Sequence, residues 1–201
     1  MKRTIILLIF LCIYAEGICQ AEVDYYKYGN DKLESNDYRG AILAFNKAIE
    51  IDSTDTRLYN NRGNAKLGLN DYKGAIADFN KAIELDSKNW GPYNNRGNAK
   101  HSLGDYRGAL IDYNKAIELA PTDIRLYNNR GNAKLGLKDY KGAIVDYNKY
   151  IGSNPNFSDA YYNRGIAKYE LGDKNGACLD WSKAGELGDM DAYELIKKSC
   201  N

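Results

Sequence analysis

Arginine and aspartate recur in this chain as four couples: Arg62/Asp78, Arg96/Asp112, Arg130/Asp146 and Arg164/Asp180. The segment 22–55 has neither member, carrying Tyr28 and Ala44 at the corresponding places. A partly desolvated charge needs a partner, so joint presence and joint absence fit a bridge. The alternative is two solvated side chains whose common absence is coincidence. A second set is Asn60, Asn61 and Asn64, repeated as Asn94, Asn95, Asn98 and as Asn128, Asn129, Asn132, with Asn30 and Asn163 extending it. An asparagine amide carries donors and acceptors, so a row of them can pair with the backbone of an extended peptide whatever its side chains. The same row is also what duplication of a merely polar surface produces. Asparagine is a mediocre helix former, so propensity does not explain the set. Catalytic chemistry finds no support. His101 is the sole histidine and has no Cys or His at metal-ligand spacing. No nucleophile motif or phosphate-cradling glycine loop is present. No enzyme, metal or cofactor is expected.

These residues are positioned by a repeat. Tyr59-Asn60-Asn61-Arg62-Gly63-Asn64-Ala65-Lys66 returns from Tyr93 and from Tyr127, 34 residues apart each time, with weaker copies at Tyr161 and Tyr25. A period of this length signals a stack of supersecondary units, each stabilised mainly by its neighbours. With Tyr59 at repeat position 4, the units are 22–55, 56–89, 90–123, 124–157 and 158–191. Within 71–85, Tyr72, Ala75, Ile76, Phe79, Ala82, Ile83 and Leu85 form one apolar helical stripe. Asp37, Asp71, Asp105, Asp139 and Asp173 are placed to cap that helix. Asn36, Asn70, Gly104 and Gly172 just before them suit the left-handed end of a preceding helix. Each unit therefore reads as helix, turn, helix. Gly at position 8 and Ala at 20 and 27 remove bulk where the two backbones approach.

Gly29, Gly63, Gly97, Gly131 and Gly165 at position 8, the alanines at 20 and 27, and an aromatic at 24 (Phe45, Phe79, Tyr113, Tyr147, Trp181) resemble the tetratricopeptide repeat. The resemblance implies an all-α fold: a right-handed α-solenoid of five helix-turn-helix repeats closed by a C-terminal capping helix within 192–201. That helix is expected over 192–199, with Tyr193, Leu195 and Ile196 inward and Glu194, Lys197 and Lys198 outward. It implies that position 7 faces the second helix of its own unit. It also implies that positions 5 and 9 line a concave groove, making Asn60, Asn64, Asn94, Asn98, Asn128 and Asn132 the candidate peptide contacts. The chain departs from the family at position 7, Arg in place of Leu in four units, and at position 11, Lys in place of Tyr in all five. Tyr150 replaces the small residue at 27, which argues for looser packing of the fourth unit on the fifth. Family members that grip a chaperone's terminal carboxylate use Lys and Asn in successive units. Asn30 and Asn61 match by position, but Tyr26, Gly91 and Asn95 stand where cations are needed, so that ligand is not expected. Arg57 and Arg125 remain available to acidic groups.

The chain has 28 basic and 27 acidic residues, and removing Lys2, Arg3 and Glu16 leaves a net charge of zero, which gives no support to a nucleic-acid partner. Residues 1–19 run from Lys2-Arg3 into an apolar stretch to Ala15, fitting a signal peptide cleaved between 19 and 21. An uncleaved anchor is the alternative, and would be the only membrane contact. Bulky Leu11 and Ile18 disqualify Cys12 and Cys19 as lipoprotein sites. Export to a periplasmic or secreted compartment follows, and with the repeats the leader resembles exported bacterial proteins. After leader removal Cys178 and Cys200 remain, compatible with a disulfide or with one buried and one exposed thiol. The expected function is a scaffold binding a protein or extended peptide. The alternative is a self-associating structural or envelope-assembly module.

Overall fold

The structure, a computed structural model, describes residues 20–200. The leader 1–19, with Cys12 and Cys19, and Asn201 lie outside the described residues. Among the described residues there are eleven helices and no strand. They are α1 (20–34), α2 (Tyr38–Ile51), α3 (Thr56–Gly68), α4 (Tyr72–Leu85), α5 (Trp90–Ser102), α6 (Tyr106–Leu119), α7 (Arg125–Gly136), α8 (Tyr140–Ser153), α9 (Ser158–Glu170), α10 (Lys174–Glu186) and α11 (Met190–Ser199). The chain divides into two compact units, one ending at Ala99 and the other beginning at Lys100. In the first, α3 packs against α2 and α4; in the second, each helix from α6 to α11 packs against the next.

Each second helix starts at its aspartate. The carboxylates of Asp37, Asp71, Asp105, Asp139 and Asp173 accept from the backbone N–H of Gly40, Gly74, Gly108, Gly142 and Gly176 at 2.9–3.0 Å. The residue before each cap is left-handed: Asn36 and Asn70 at φ 59°, Gly104 at 79°, Gly172 at 87° and, in the fourth repeat, Lys138 at 61°. A lysine there is strained, because a left-handed L-residue crowds its Cβ against the carbonyl. Asn36 and Asn70 also accept from the hydroxyls of Tyr38 and Tyr72 at 2.8 Å, whereas the Tyr140 hydroxyl donates to Glu170 at 3.2 Å. Lys138→Asn is therefore expected to raise stability by about 1 kcal/mol, through relief of the left-handed backbone. Chemical denaturation checks this; an unchanged midpoint would mean the site carries no strain.

The repeat glycines make room for a ring rather than for a backbone. A Cβ added at Gly29, Gly63, Gly131 or Gly165 would lie 2.5–2.8 Å from the ring of Phe45, Phe79, Tyr147 or Trp181 respectively. Those rings are buried with the alanines around them. The fourth and fifth repeats do not pack loosely. Tyr150 is 8% exposed, shares one cluster with fully buried Ala160, and meets Phe157 edge-on at 5.3 Å. Elsewhere a small Ala48, Ala82 or Ala116 at position 27 is followed by a larger Leu58, Pro92 or Leu126 at position 3 of the next repeat. Here the sizes are exchanged, and volume-conserving exchange is what a dense core tolerates.

The last helix begins at Met190, two residues before the expected start and inside the segment assigned to the fifth repeat. Asp189 sets this start, accepting from the N–H of Asp191 and Ala192 at 3.0 and 3.2 Å after Gly188 turns the chain at φ 99°. Ala192 is its buried contact, with Leu195 and Ile196 partly covered. Tyr193 is inward only in part: its ring closes over buried Gly185 of α10, while the residue stays 42% exposed.

Candidate functional site

The couples on the first and second helices converge on a buried carboxylate. Asp78, Asp146 and Asp180 accept two bonds each from Arg62, Arg130 and Arg164, at 2.8–2.9 Å from Nε and 2.6 Å from Nη2. A second cation completes each site: Lys66, Lys134 and Lys168 lie 2.7–2.8 Å from the same aspartates. The carboxylates are 1–6% exposed and the cations 15–21%. The Asp146 hydrogen bond raises the Arg130 pKa against the opposing effect of burial. Each guanidinium also reaches back to the preceding repeat. Arg62, Arg130 and Arg164 donate through Nη1 to Asn46, Asn114 and Asn148 at 2.6–3.0 Å, and lie 5.3–5.4 Å over Tyr59, Tyr127 and Tyr161. Arg96 and Asp112 fall in different units. Arg96 donates to Asn80 at 2.7 Å, and Asp112 is held by Lys100 at 2.8 Å. Where the aspartate is missing, Lys32 turns to Asp37 at 2.9 Å.

Sequence reasoning named the arginines and aspartates but not the lysine or the asparagine. Both had signals. Lys at position 11 stands one helical turn after Arg at 7, on the same face. Asn at position 25 occurs in the four repeats that have a successor and gives way to Ser182 in the last.

The asparagines form a relay between first helices. Asn94 Nδ2 donates to Asn95 Oδ1 at 3.2 Å, Asn95 to Asn60 at 3.0 Å, Asn60 to Asn61 at 3.2 Å and Asn61 to Asn30 at 2.9 Å. In the second unit Asn163 donates to Asn132 Oδ1 at 3.2 Å, which also accepts the Tyr147 hydroxyl at 2.7 Å. Burial and the Asp146 charge hold that hydroxyl well above its ordinary pKa, so it remains a donor. Asn64 and Asn98 lie half-buried on α3 and α5. Asn128 differs: its Oδ1 is shielded and has no hydrogen-bond partner among the described residues. Arg57 and Arg125 are engaged by their own turns, 2.6 Å from Asp55 and Asp123.

Cys178 and Cys200 are joined as a disulfide with Cα atoms 5.9 Å apart, linking α10 to the end of α11. Among the described residues no group of three or more His, Cys, Asp or Glu is arranged to hold a metal ion. His101 rests edge-on against Tyr106 at 5.0 Å, and burial lowers its pKa.

Comparison with known proteins fits this geometry. A family profile described as TPR repeat matches residues 29–70 and 97–138. Profiles described as tetratricopeptide repeat match 56–89 and 124–157, and together the matches span more than half of the chain. The chain belongs to the tetratricopeptide-repeat family. Three solved tetratricopeptide-like structures show the same fold. The crystal structure of MamA is 23% identical, covering 89% of this chain and 95% of that one, with a TM-score of 0.74. YrrB, described as a TPR protein with an unusual peptide-binding site, is 23% identical over 87% of this chain and 90% of its own, with a TM-score of 0.74. The pilF protein of Pseudomonas aeruginosa is 22% identical over 90% of this chain and 82% of its own, at a TM-score of 0.77. No curated protein sequence matches the chain.

Proposed function

We propose that this tetratricopeptide protein is a non-enzymatic scaffold that holds a partner protein or an extended peptide on its first-helix face. The observation that carries this is the asparagine relay on α1, α3 and α5. Asn94, Asn95, Asn60 and Asn61 each donate one amide N–H to the next asparagine in the row, so neighbouring first helices share one line of donors and acceptors. The relay fixes the side chains in advance, which lowers the ordering cost of binding. Asn60, Asn64, Asn94, Asn98, Asn128 and Asn132 are the contacts. The peptide-binding site ascribed to YrrB supports the same use of the fold. The leader and the Cys178–Cys200 bond support work in an exported, oxidising compartment.

The test separates binding from folding. Asn64 lies outside the relay, and Asn128 carries the shielded acceptor. Replacing both by Ala is expected to leave stability unchanged or slightly raised, since Ala favours helix and one unsatisfied group disappears. Binding to peptides selected from an array should fall at least fivefold. Unchanged affinity in the stable double variant would refute the proposal.

One observation favours self-association as a second reading. Leu43, Ile111, Val145 and Leu179, all at repeat position 22, are 65–73% exposed on second helices. Light scattering at high protein concentration decides between them: a monomer at all concentrations counts against this reading.

A further inference from the structure

The fifth repeat interrupts the polar face. Tyr162 and Ile166 stand at positions 5 and 9, where the three preceding repeats carry asparagine. Between α9 and α11 these two side chains line a hollow of about 340 Å³, with Tyr169, Trp181 and Leu195 also among its walls. Glu170 and Lys198 at its edge offset each other in charge. A second hollow, of about 500 Å³, shares Tyr162 and lies toward the N-termini of the same two helices. Asp159, Asp189 and Asp191 line it, and no Lys, Arg or His does so among the described residues. Asp189 caps α11 through its Oδ1, and Asp159 accepts from Ser158 at 3.2 Å. The two hollows share Tyr162, and we refer to the pair as a trough with a mainly apolar end and an anionic end. The anionic end is felt there: after burial, Asp191 and Asp189 are what raise the Tyr162 hydroxyl above its ordinary pKa.

We infer that this trough is a specificity subsite for a peptide in which a cationic residue neighbours a bulky apolar side chain. The cation sits among Asp159, Asp189 and Asp191, and the apolar group lies between Ile166, Tyr169 and Leu195. An apolar side chain alone fits only one end, and an acidic neighbour would be repelled at the other. This inference rests on the peptide-scaffold reading and adds to it a sequence preference. The asparagine relay lacks one, because amides pair with backbone common to all peptides.

The test uses the isotopically labelled protein and two probes, acetyl-Arg-Leu-Phe-amide and acetyl-Glu-Leu-Phe-amide. The reporter is the Trp181 indole N–H, which donates to the Tyr162 carbonyl at 3.2 Å, together with the amides of 159–166 and 190–196. Trp90→Phe assigns its resonance. The arginine probe should shift these signals and bind at least fivefold more tightly than the glutamate probe. Asp159→Asn combined with Asp191→Asn should reduce that ratio below twofold with some binding of both retained. Ile166→Glu, checked for a folded spectrum, should abolish binding. Equal affinity for the two probes in the unaltered protein, or no shift in the trough with either, would overturn the inference. Shifts confined to the asparagines of α3 and α7 would overturn it too, while leaving the scaffold reading intact. Shifts in the trough alone would support it and remove the asparagine face as a contact.

Discussion

Asp146→Ala is expected to destabilise the protein by about 3–5 kcal/mol. The carboxylate is 1% exposed and balances Arg130 and Lys134, both less than a fifth exposed. Removing it leaves two cations pressed together in a poorly solvated site without an anion. It also frees the Arg130 guanidinium from the geometry that presents Nη1 to Asn114, so the link to the preceding repeat weakens as well. The diagnostic is non-additivity. Arg130→Met alone strands the aspartate with only Lys134. The double variant Arg130→Met/Asp146→Ala removes charge and counter-charge together. It should be more stable than the sum of the single losses implies, with a coupling of about 1–3 kcal/mol. Urea denaturation of the four proteins measures this. Additive losses would mean that the two groups are solvated and independent.

Reduction of the Cys178–Cys200 bond should cost about 3 kcal/mol by loss of loop constraint, the cysteines being 22 residues apart. The loss should be local. α11 is a ten-residue helix with one fully buried side chain, Ala192, and it packs only at the end of the unit. Isolated helices this short are marginal in water, so the bond and the contacts of Leu195 and Ile196 are what hold it. Hydrogen exchange on reduction, or in Cys178→Ala/Cys200→Ala, should accelerate across 190–199 while the amides of α8 hold their protection. The trough between α9 and α11 should then lose its probe binding. Two reactive thiols in the unreduced, denatured protein would contradict the bond outright.

Much of the fold was legible because the repeat states it five times. The aspartate caps, the left-handed residues before them and the helix pairs all follow from local rules applied at one spacing. Three of the Arg–Asp couples, Arg62/Asp78, Arg130/Asp146 and Arg164/Asp180, were legible through the joint absence of both residues from the first repeat. Their lysine partner was overlooked because Lys at position 11 read as a departure from the family pattern rather than as the second cation of a site. The asparagine at position 25 was overlooked because its partner is in the next repeat. The relay was less accessible still. Whether Asn95 pairs with Asn60 or with a peptide depends on how adjacent first helices rotate, and spacing does not report that rotation. The exchange of Tyr150 for Ala160 shows the same limit: each residue looks anomalous alone, and only the packed pair makes sense.

The side-chain amide resonances of the asparagines test the central claim most directly. A peptide selected from the array is added to labelled protein, and the shifts of Asn64, Asn128 and Asn132 are compared with those of the methyl groups of Leu43, Ile111, Val145 and Leu179. The account predicts saturable shifts at the asparagine amides and none at the exposed methyls. Shifts at the methyls with silent asparagine amides would place binding on the second-helix surface and contradict it.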